Sequence, residues 1–549
     1  MLILEANKIK KQYGDHLVFS IDSLKIYPND RIGVVGINGC GKTTLLNVLT
    51  GKEFPGEGTV RRYGEHAYIT QLEDPTDCTL DRIMGKKFRV PDSEWETMSG
   101  GEKTRLKIAQ GLSASCSVLF ADEPTCNLDL EGIRLLEEQL KMFDGALVLV
   151  SHDRALMDAL CSKILEIENG KVTEYTGNYS DYKLQKEAEI ERRQFDYEQY
   201  VREKNRLTAA ITERKQKSAA MKKTPSRMGN SEARLHKRET GKKMAKVDKA
   251  AAAIEKRIEQ FEEKEKPPKP VKINMYLQEH SQLYCQAAIT GQEVSKSFGD
   301  KLLFDKICFE VPSVKKVALV GNNGSGKTTL LQMIATGEKG INLAQGARIG
   351  YFRQDLGILD EDKTILENVI MDSVFPQHDV RLMLAQLLFR NEYVHKKVKA
   401  LSGGERVKAA LAKIFVSGYN VIVVDEPTNY LDMYSLEALE KVMKEYRGAI
   451  LFVSHDRKFI DEIADQVIVL QKGKAVQYAG NYSDYLKHMD LIKQQKPEQE
   501  RILQLENRLN EVIGRLCTSK QEDIESLDVE YKIILGELKK VREQNSKDV

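Results

Sequence analysis

The amino-acid sequence predicts an α/β protein made of two repeated domains, which are joined by a long α-helical hairpin and followed by a C-terminal helical extension. Three observations predict this fold. The motif GINGCGKTT at residues 36–44 returns as GNNGSGKTT at residues 321–329. Each occurrence of this motif is followed by the same further motifs in the same order. The sequence around each set of motifs contains short apolar runs of strand length. Between the copies lies a charged stretch that has helical periodicity and little glycine.

The constant spacing of the motifs indicates that a whole domain has been duplicated. One offset relates three motif pairs: SGGE at Ser99 and Ser402, DEPT at Asp122 and Asp425, and SHDR at Ser151 and Ser454. The string GNYSDY recurs at the same offset, at residues 177–182 and 480–485, although phosphate chemistry does not require it. We interpret it as an element that closes each domain structurally. Copy two is longer than copy one between the glutamine after the P-loop and the SGGE motif, so we expect an insertion in one subdomain.

The composition indicates a reduced, cytoplasmic protein without membrane spans. Charged residues make up 30% of the 549 residues, yet the net charge is only +2, so any nucleic-acid affinity must come from an uneven distribution of charge. The 8 cysteines form no CxxC pair, which is typical of reduced thiols. The longest apolar runs are of strand length, whereas a membrane helix needs about 20 residues. The N-terminus MLILEANKIKKQYG has the wrong order of charge for a secretory signal and predicts an opening strand.

The predicted parts of the chain are two ATPase-like domains, the linker between them and a tail: residues 1–183, 285–487, 184–284 and 488–549. In the linker, Pro225 and Gly229 oppose helix continuation and predict a hairpin with its tip at this break. Ile254, Ile258 and Phe261 would share one face of the second arm, which must lean on a partner helix.

The tail carries two heptad patterns separated by a polar segment. The apolar positions of the first pattern are Ile502, Leu505, Leu509, Val512 and Leu516. A short antiparallel coiled coil fits both patterns, and a dimerisation helix is the alternative interpretation.

Each copy contains a complete phosphate-binding loop of the form GxxxxGK[ST]. Glycines are needed there because the backbone wraps closely around phosphate oxygens with its N–H groups pointing inward, and the next helix adds a positive N-terminal dipole. We expect Lys42 and Lys327 to reach the β- and γ-phosphates of ATP. The hydroxyls of Thr43 and Thr328 are expected to bind Mg²⁺. The other expected nucleotide contacts are an aromatic residue near the start of each copy and further loop residues: Tyr13, Phe298, Gly36, Asn38, Gly39, Gly41, Thr44, Gly321, Asn323, Gly324, Gly326 and Thr329.

An acidic pair follows a strand-like apolar run in each copy. The runs VLFADE and VIVVDE end in carboxylates that would be costly to bury without a cation. Asp122 and Asp425 are therefore expected to hold Mg²⁺. Glu123 and Glu426 are expected to accept a proton from the attacking water. Each copy also has one histidine and one glutamine at corresponding positions. The histidines, His152 and His455, are expected at the γ-phosphate, and the glutamines, Gln71 and Gln354, at Mg²⁺.

Together these motifs resemble the ATP-binding cassette (ABC) proteins. The P-loop, the glutamine, the SGGE signature, the DEPT motif, the NLD or YLD turn and the SHD histidine occur in that family's order. In ABC proteins the signature of one cassette covers the ATP that the other cassette binds. The resemblance implies two shared sites that ATP closes and hydrolysis releases. The implied pairings are Lys42 with Ser402 and Gly404, and Lys327 with Ser99 and Gly101.

Twin cassettes that are joined by a charged helical linker resemble the ABC-F subfamily, whose members act on ribosomes. The string DEPTNYLD at residues 425–432 and the paired GNYSDY are similar to that group's motifs, and the resemblance covers residues 1–487. In ABC-F proteins the linker enters the tRNA exit site and points toward the peptidyl-transferase centre. The resemblance implies the 70S ribosome as partner, with 23S rRNA and P-site tRNA, and a monomer that closes its cassettes intramolecularly.

The predicted linker contains a segment with a strong local excess of positive charge. Residues 214–249 contain 13 lysine or arginine residues and 3 acidic residues. Such a segment suits the phosphate backbone of ribosomal RNA or tRNA, and its binding should weaken steeply with salt. A solvated helix face would carry the same charges, but the ABC-F resemblance favours RNA binding.

Three features resemble the antibiotic-resistance subgroup of ABC-F proteins, of the Vga, Lsa and Vml type. Copy one leaves no room for the extra helical arm of housekeeping factors, the tip segment PSRMGNSEARLHK is long, and a helical extension follows copy two. Such proteins displace drugs bound at the peptidyl-transferase centre. The resemblance implies lincosamides, pleuromutilins and streptogramin A compounds, with macrolides as a further class. Arg227, Met228 and Asn230 would lie nearest the drug.

Copy one departs from the family pattern around its signature and its acidic pair. Met98 replaces leucine, Cys126 replaces asparagine, and Ala121 is small for its position. These differences predict a slower site that remains competent, since both glutamates are present.

Other functions remain open at this stage. A housekeeping ABC-F translation factor that relieves stalled ribosomes would share the same cassettes. The ATPase subunit of a drug exporter would explain the cassettes but not the basic hairpin. A DNA-repair or chromosome-associated ATPase would be expected to carry zinc modules or very long coiled coils, and the sequence predicts neither.

Overall fold

A computed structural model describes most of both copies and the base of the linker. The described residues are 2–71, 73–75, 80–91, 94–221, 245–247, 249–259, 283–299, 301–353, 357–389, 391–491, 505 and 535–536. The predictions for the linker tip at residues 224–237, for Phe261, for Gln354 and for most of the tail lie outside these residues.

The strands of copy one form a mixed nine-stranded sheet with the order β4-β1-β2-β9-β8-β3-β7-β6-β5. Its strands are β1 (Leu4–Tyr13), β2 (His16–Ile26), β3 (Arg31–Gly36), β4 (Glu57–Arg62), β5 (His66–Ile69), β6 (Val118–Asp122), β7 (Ala146–Val150), β8 (Lys163–Glu168) and β9 (Lys171–Thr176). The run from β8 to β5 is parallel, and β6 and β7 are buried at every residue. Their continuous apolar sequences follow from this burial, because helices cover both faces of a parallel sheet.

Copy two repeats this arrangement in two sheets, with the orders β11-β10-β13 and β14-β15-β16-β12-β17-β18. Its strands are β10 (Ala287–Phe298), β11 (Lys301–Pro312), β12 (Lys316–Gly321), β13 (Ile341–Leu343), β14 (Ile349–Phe352), β15 (Val421–Asp425), β16 (Ala449–Val453), β17 (Gln466–Gln471) and β18 (Lys474–Ala479). In copy one, the pair Ser20 and Lys171 joins the two parts of the sheet. In copy two the side chain of Gln477 bridges instead to the backbone N and O of Glu310, at 3.2 and 2.7 Å.

Helices surround the sheets and continue into the linker. The helices whose ends are defined are α1 (Lys42–Thr50), α2 (Arg82–Lys87), α3 (Gly100–Ser113), α4 (Leu130–Met142), α5 (Arg154–Leu160), α6 (Tyr179–Met221), α8 (Lys327–Thr336), α9 (Ile365–Met371), α10 (Gln377–Gln386), α11 (Gly403–Val416), α12 (Met433–Glu445) and α13 (Arg457–Ile463). Helical residues 245–247 and 249–259 form α7, and residues 482–491 form α14. The helices α9 and α10 lie in the longer stretch of copy two that the sequence predicted.

The helix α6 spans 43 residues and pairs with α7 in an antiparallel arm. Arg214 donates to the backbone O of Ala250 at 3.1 Å, and Lys215 pairs with Glu255 at 2.7 Å. Leu207 of α6 and Ala251 of α7 are buried. The long helix is thus stabilised along one face by a partner, which a helix of mostly polar residues requires.

The two copies pack directly against each other through their α4 and α12 helices. Met433 of copy two is buried in the hydrophobic core of copy one, and Leu130 of copy one is buried in the core of copy two. The two copies therefore share buried apolar surface. Among the described residues, no helix combines the length and the apolarity needed to cross a membrane.

Candidate active site

The P-loop of each copy connects a central strand to the helix behind it. In copy one, β3 ends at Gly36 and α1 begins at Lys42. Gly41 has φ of 100°, and a Cβ there would lie 2.3 Å from Val18, so glycine is required on both counts. The Lys42 Nζ donates to the carbonyl of Gly36 at 2.9 Å and to that of Ile37 at 3.3 Å. The lysine is thereby held along the loop where a phosphate chain would lie.

The loop of copy two has the same geometry. The Lys327 Nζ donates to the carbonyl O of Gly321 at 2.8 Å and of Asn322 at 3.2 Å. Burial lowers the pKa of Lys327, while the nearby carboxylates of Glu426 and Asp129 act in the opposite direction. The two P-loops are therefore built alike although their second and fifth residues differ.

The aspartates at the ends of β6 and β15 fit the role of cation ligands. Burial raises the pKa of Asp122 to about 6, while a hydrogen bond from the Thr43 side chain partly offsets this effect. Burial also raises the pKa of Asp425, which receives a hydrogen bond from the Thr328 side chain. Among the described residues, Asp122 Oδ2 and Asp425 Oδ1 are buried without a hydrogen-bond partner. A hydroxyl and a carboxylate with spare oxygens in each copy match the set with which proteins hold Mg²⁺ on a nucleotide.

The glutamate after each aspartate contacts the histidine of the same copy. The distance from His152 Nε2 to Glu123 Oε1 is 3.2 Å, and the same distance separates His455 Nε2 from Glu426 Oε1. Burial raises the pKa of Glu426 to about 8 and lowers the pKa of His455 to about 4. A carboxyl with a raised pKa is a stronger base, which suits proton abstraction from water.

Each P-loop is bound by the turn that follows the DEPT motif of the opposite copy. The Asn38 N donates to Asp432 Oδ2 at 3.1 Å, and the Asn38 Nδ2 donates to the O of Tyr430 at 2.8 Å. The corresponding contacts of Asn323 are to Asp129 Oδ2 at 3.2 Å and to the O of Asn127 at 3.1 Å. The two P-loops therefore face across the interface between the copies.

The signature helices begin beside these P-loops. Ser99 and Ser402 cap α3 and α11 in capping boxes with Glu102 and Glu405. A Cβ on Gly101 would lie 3.5 Å from Asn323 Nδ2, and one on Gly404 would lie 3.5 Å from Asn38 Nδ2. The N-terminus of each signature helix thus points at the P-loop of the other copy, where its dipole favours a phosphate.

A cavity of about 930 Å³ lies at the P-loop of copy two. Residues from both copies line it, namely Ser99, Gly101, Phe298, Asn323, Gly324, Gly326, Lys327, Thr328, Thr329, Glu426 and His455. Phe298 is 59% exposed, and its ring is available at the cavity for a flat ligand. In copy one the matching Tyr13 is 54% exposed and donates to Glu53 at 2.7 Å.

Gln71 lies beside the acidic pair of copy one. Its Nε2 is 3.9 Å from the Sγ of Cys126, the residue directly after the DEPT motif. Burial raises the pKa of the Cys126 thiol to about 12. The equivalent Gln354 lies outside the described residues.

Sequence reasoning missed the residues that act across the interface. Asp129 and Asp432 belong to the NLD and YLD turns, but their contacts with the opposite P-loop were not predicted. Arg154 and Arg457, the last residues of the two SHDR strings, were also missed, and they bind Glu440 and Glu137 of the opposite copy. The exact recurrence of both motifs was the signal that could have found them.

Comparisons with known proteins agree with this geometry. The ABC transporter family profile matches residues 19–79 and 304–429, which contain both P-loops. A second profile, also described as ABC transporter, matches residues 165–243, which contain the first GNYSDY and all of α6.

Several proteins are similar to this chain over most of its length. It is 36% identical over 471 residues to the erythromycin resistance ATP-binding protein MsrA of Staphylococcus epidermidis, covering 84% of this chain and 96% of that protein. It is 29% identical to the ribosome protection protein VmlR of Bacillus subtilis, over 100% of both chains. It is 30% identical to the energy-dependent translational throttle protein EttA of Haemophilus influenzae, covering 84% of this chain and 91% of that protein.

Solved structures share the fold at lower identity. The structure of an RNase-L Inhibitor superposes with a TM-score of 0.58 at 18% identity, covering 86% of this chain and 90% of that chain.

Two α/β domains, each of whose P-loops faces the signature helix of the other, define an ABC-type ATPase, and the chain is an ATP hydrolase of this class. It belongs to the ABC-F family of ABC proteins. The family and the fold class that the sequence predicted are thereby confirmed.

Proposed function

We propose that this protein binds the ribosome in its ATP-closed form and protects it from antibiotics that act at the peptidyl-transferase centre. The observation that carries the proposal is the 36% identity to an erythromycin resistance protein over 96% of that protein's length. Similarity over full length to a ribosome protection protein supports the same function. A ribosomal target places the protein in the cytoplasm.

The chemistry of the proposed cycle follows from the two interfacial sites. The backbone N–H groups of each P-loop and its lysine bind the phosphates, and the opposite signature helix covers them. Glu123 and Glu426 orient the attacking water and take its proton, while His152 and His455 hold these carboxylates in place. When the phosphate bond is broken, the contacts that ATP makes with the opposite signature are lost and the copies separate.

Mg²⁺ is the cation that we propose for the aspartates. Thr43 with Asp122, and Thr328 with Asp425, would hold it, with Gln71 and Gln354 next to it. When bound, the ion neutralises charge that develops on the phosphates.

The basic arm is proposed as the part that acts on the ribosome. The described part of the arm is the pair of helices α6 and α7, which is anchored in copy one. The sequence of residues 214–249 carries an excess of basic residues. Such a hairpin can follow the phosphate backbone of 23S rRNA and P-site tRNA in the tRNA exit site. Arg227, Met228 and Asn230 are proposed to lie nearest the drug.

The drug classes that we propose are lincosamides, pleuromutilins and streptogramin A compounds. Identity to an erythromycin resistance protein adds macrolides to this set. The alternative within the family is a housekeeping translation factor, which the similarity to EttA supports.

A drug-susceptibility panel tests the proposal. A susceptible strain would express the intact chain or a matched control, Lys42→Ala with Lys327→Ala, which loses phosphate binding. We expect the intact chain, and not the control, to raise the inhibitory concentration of at least one of the four drug classes. Equal susceptibility to all four classes, combined with an effect on translation of stalled messages, would favour the housekeeping function.

A further inference from the structure

The two GNYSDY strings occupy different surroundings, although their sequences are identical. In both copies the string caps a helix in the same way, since Asp181 N donates to Asn178 Oδ1 and Asp484 N donates to Asn481 Oδ1, each at 2.9 Å. Only the string of copy one begins α6, the long helix of the arm. Any difference between the two surroundings therefore bears on the arm.

A buried polar cluster surrounds the string of copy one. The Tyr182 hydroxyl donates to Glu166 Oε1 at 2.7 Å, and the Tyr434 hydroxyl of copy two donates to the same oxygen at 2.7 Å. The two hydroxyl oxygens are 2.8 Å apart. Lys186 Nζ donates to the other oxygen of Glu166 at 2.7 Å. Glu166 is 2% exposed and Tyr182 is 3% exposed, so these hydrogen bonds replace the water that burial removes from the carboxylate.

The helix α12 of copy two, which carries Tyr434, contacts both the P-loop and the base of the arm in copy one. Tyr434 lies two residues after Asp432, which accepts from the backbone N of Asn38 in the P-loop. One turn further along α12, Glu437 accepts from the Tyr179 hydroxyl at 3.3 Å and pairs with Lys183 at 2.9 Å. The helix α12 therefore connects the ATP site of copy one to the first turn of α6.

The repeated string in copy two lacks the buried carboxylate and its lysine partner. The positions of Glu166, Lys186, Tyr434 and Glu437 are occupied in the repeat by Val469, Met489, Glu131 and Arg134. There, Tyr482 and Tyr485 stack with ring centroids 6.1 Å apart. The polar cluster is thus found at the copy that carries the arm.

We propose that Glu166, Tyr182 and Tyr434 form an arm clasp that fixes the direction of α6 when α12 docks on copy one. They are positioning residues and do not touch ATP. Docking of α12 brings the Tyr434 hydroxyl to a buried carboxylate that already holds α6 through Tyr182 and Lys186. Separation of the copies removes that hydroxyl and exposes the carboxylate to water, which weakens the hold on the arm root. The arm clasp itself does not depend on the proposed function. Only its purpose, to direct the arm into the ribosome, rests on that function.

Hydrogen exchange measured by mass spectrometry tests the arm clasp without ribosomes. The parent protein would be Glu123→Gln with Glu426→Gln, which is expected to stay closed with ATP. We expect ATP to slow exchange in the P-loops and in residues 179–200. Adding Tyr434→Phe removes one hydroxyl and should reduce the ATP-dependent slowing at residues 179–200 by about tenfold, the effect of one hydrogen bond to a charged group. Slowing in the P-loops should remain.

Tyr485→Phe is the control for loss of a tyrosine hydroxyl in copy two, because the ring of Tyr485 lies in the aromatic stack there. We expect it to behave as the parent does. The proposal is overturned if Tyr434→Phe leaves the slowing at residues 179–200 intact, or if it reduces slowing in the P-loops equally, which would indicate a general role in closure. Loss of ribosome binding in a separate sedimentation assay would contradict the proposed function and leave this exchange pattern unchanged.

Discussion

The proposed general bases have an unusual backbone conformation in both copies. Glu123 and Glu426 have φ of 49° and 48°, in the left-handed region that favours glycine. The backbone N of each residue donates to the strand that precedes its histidine, at 2.9 Å from the O of Val150 and at 3.0 Å from the O of Val453. Strain of this kind costs about 1 kcal/mol or more and persists where the surroundings impose it, often at active sites. Its presence in both copies supports two competent sites.

Cys126 offers a test of the slower site that the sequence predicts in copy one. Its thiol is neutral and lies 3.9 Å from Gln71, so it provides only a weak hydrogen bond there. We expect Cys126→Asn to raise the rate of ATP hydrolysis by copy one about fivefold, the effect of one ordinary hydrogen bond. Steady-state hydrolysis would be measured in a Glu426→Gln background, which leaves only copy one active.

The reciprocal substitution is the control. Asn429→Cys in a Glu123→Gln background should slow copy two by a similar factor. Unchanged rates in both backgrounds would mean that this position does not set the difference between the sites.

At the scale of single residues, the sequence was most informative where a motif is contiguous. The P-loops, the acidic pairs and the histidines could be predicted because each lies at the end of a strand, where spacing along the chain fixes position. Asp129 and Arg154 were missed because their partners belong to the opposite copy. A sequence does not specify which surfaces of two domains meet.

At the scale of elements, two reciprocal ion pairs link the helices α5 and α13 to the opposite copy. Arg154 of α5 binds both oxygens of Glu440 on α12, and Arg457 of α13 binds Glu137 on α4 at 2.7 Å. The side chains of Arg154 and Glu440 are 3% and 10% exposed, against 16% for each member of the other pair. The first pair is therefore more deeply buried.

Removal of the buried arginine should weaken closure of the copies. Arg154→Ala leaves Glu440 unpaired in the interface, and breaking a buried pair in this way costs about 3–5 kcal/mol. In the Glu123→Gln and Glu426→Gln background we expect the rate of ATP release to rise at least about a hundredfold. Retention of radiolabelled ATP after gel filtration would measure it.

Arg457→Ala is the comparison for this prediction. Its pair is more exposed, so a smaller increase in the release rate is expected. An equal or larger effect of Arg457→Ala would contradict the ranking by burial.

The two copies also show what an element-level prediction misses. The strands of both copies were recognisable as apolar runs before the acidic pairs, but the division into one sheet in copy one and two in copy two was not. That division depends on whether a backbone pair or the side chain of Gln477 joins the edge strands. Local sequence preference does not distinguish these two contacts.

At the scale of the whole molecule, the distribution of charge predicts how binding depends on salt. Residues 214–249 carry 13 basic and 3 acidic residues, while the net charge of the chain is +2. Affinity for ribosomes should fall steeply with salt, because each phosphate contact releases counterions. Replacing Lys222, Lys223, Lys242 and Lys243 by glutamine should reduce the slope of log affinity against log salt by up to about 4.

A matched control tests whether position matters. Four lysines of copy two that lie away from the arm, Lys339, Lys399, Lys444 and Lys474, would be replaced by glutamine in a second variant. We expect little change in slope. Equal slopes for both variants would assign the salt dependence to overall charge and not to the arm.

The central claim is that two ATP molecules close the copies and that the closed form is the one that binds the ribosome. The decisive experiment is cosedimentation of the double variant, which carries Glu123→Gln and Glu426→Gln, with 70S ribosomes. We expect this variant to accumulate on ribosomes with ATP, and we expect the addition of Lys42→Ala and Lys327→Ala to abolish the accumulation. If the variant retains ATP but is absent from the ribosomal pellet, the ATP-closed form is not the form that binds the ribosome.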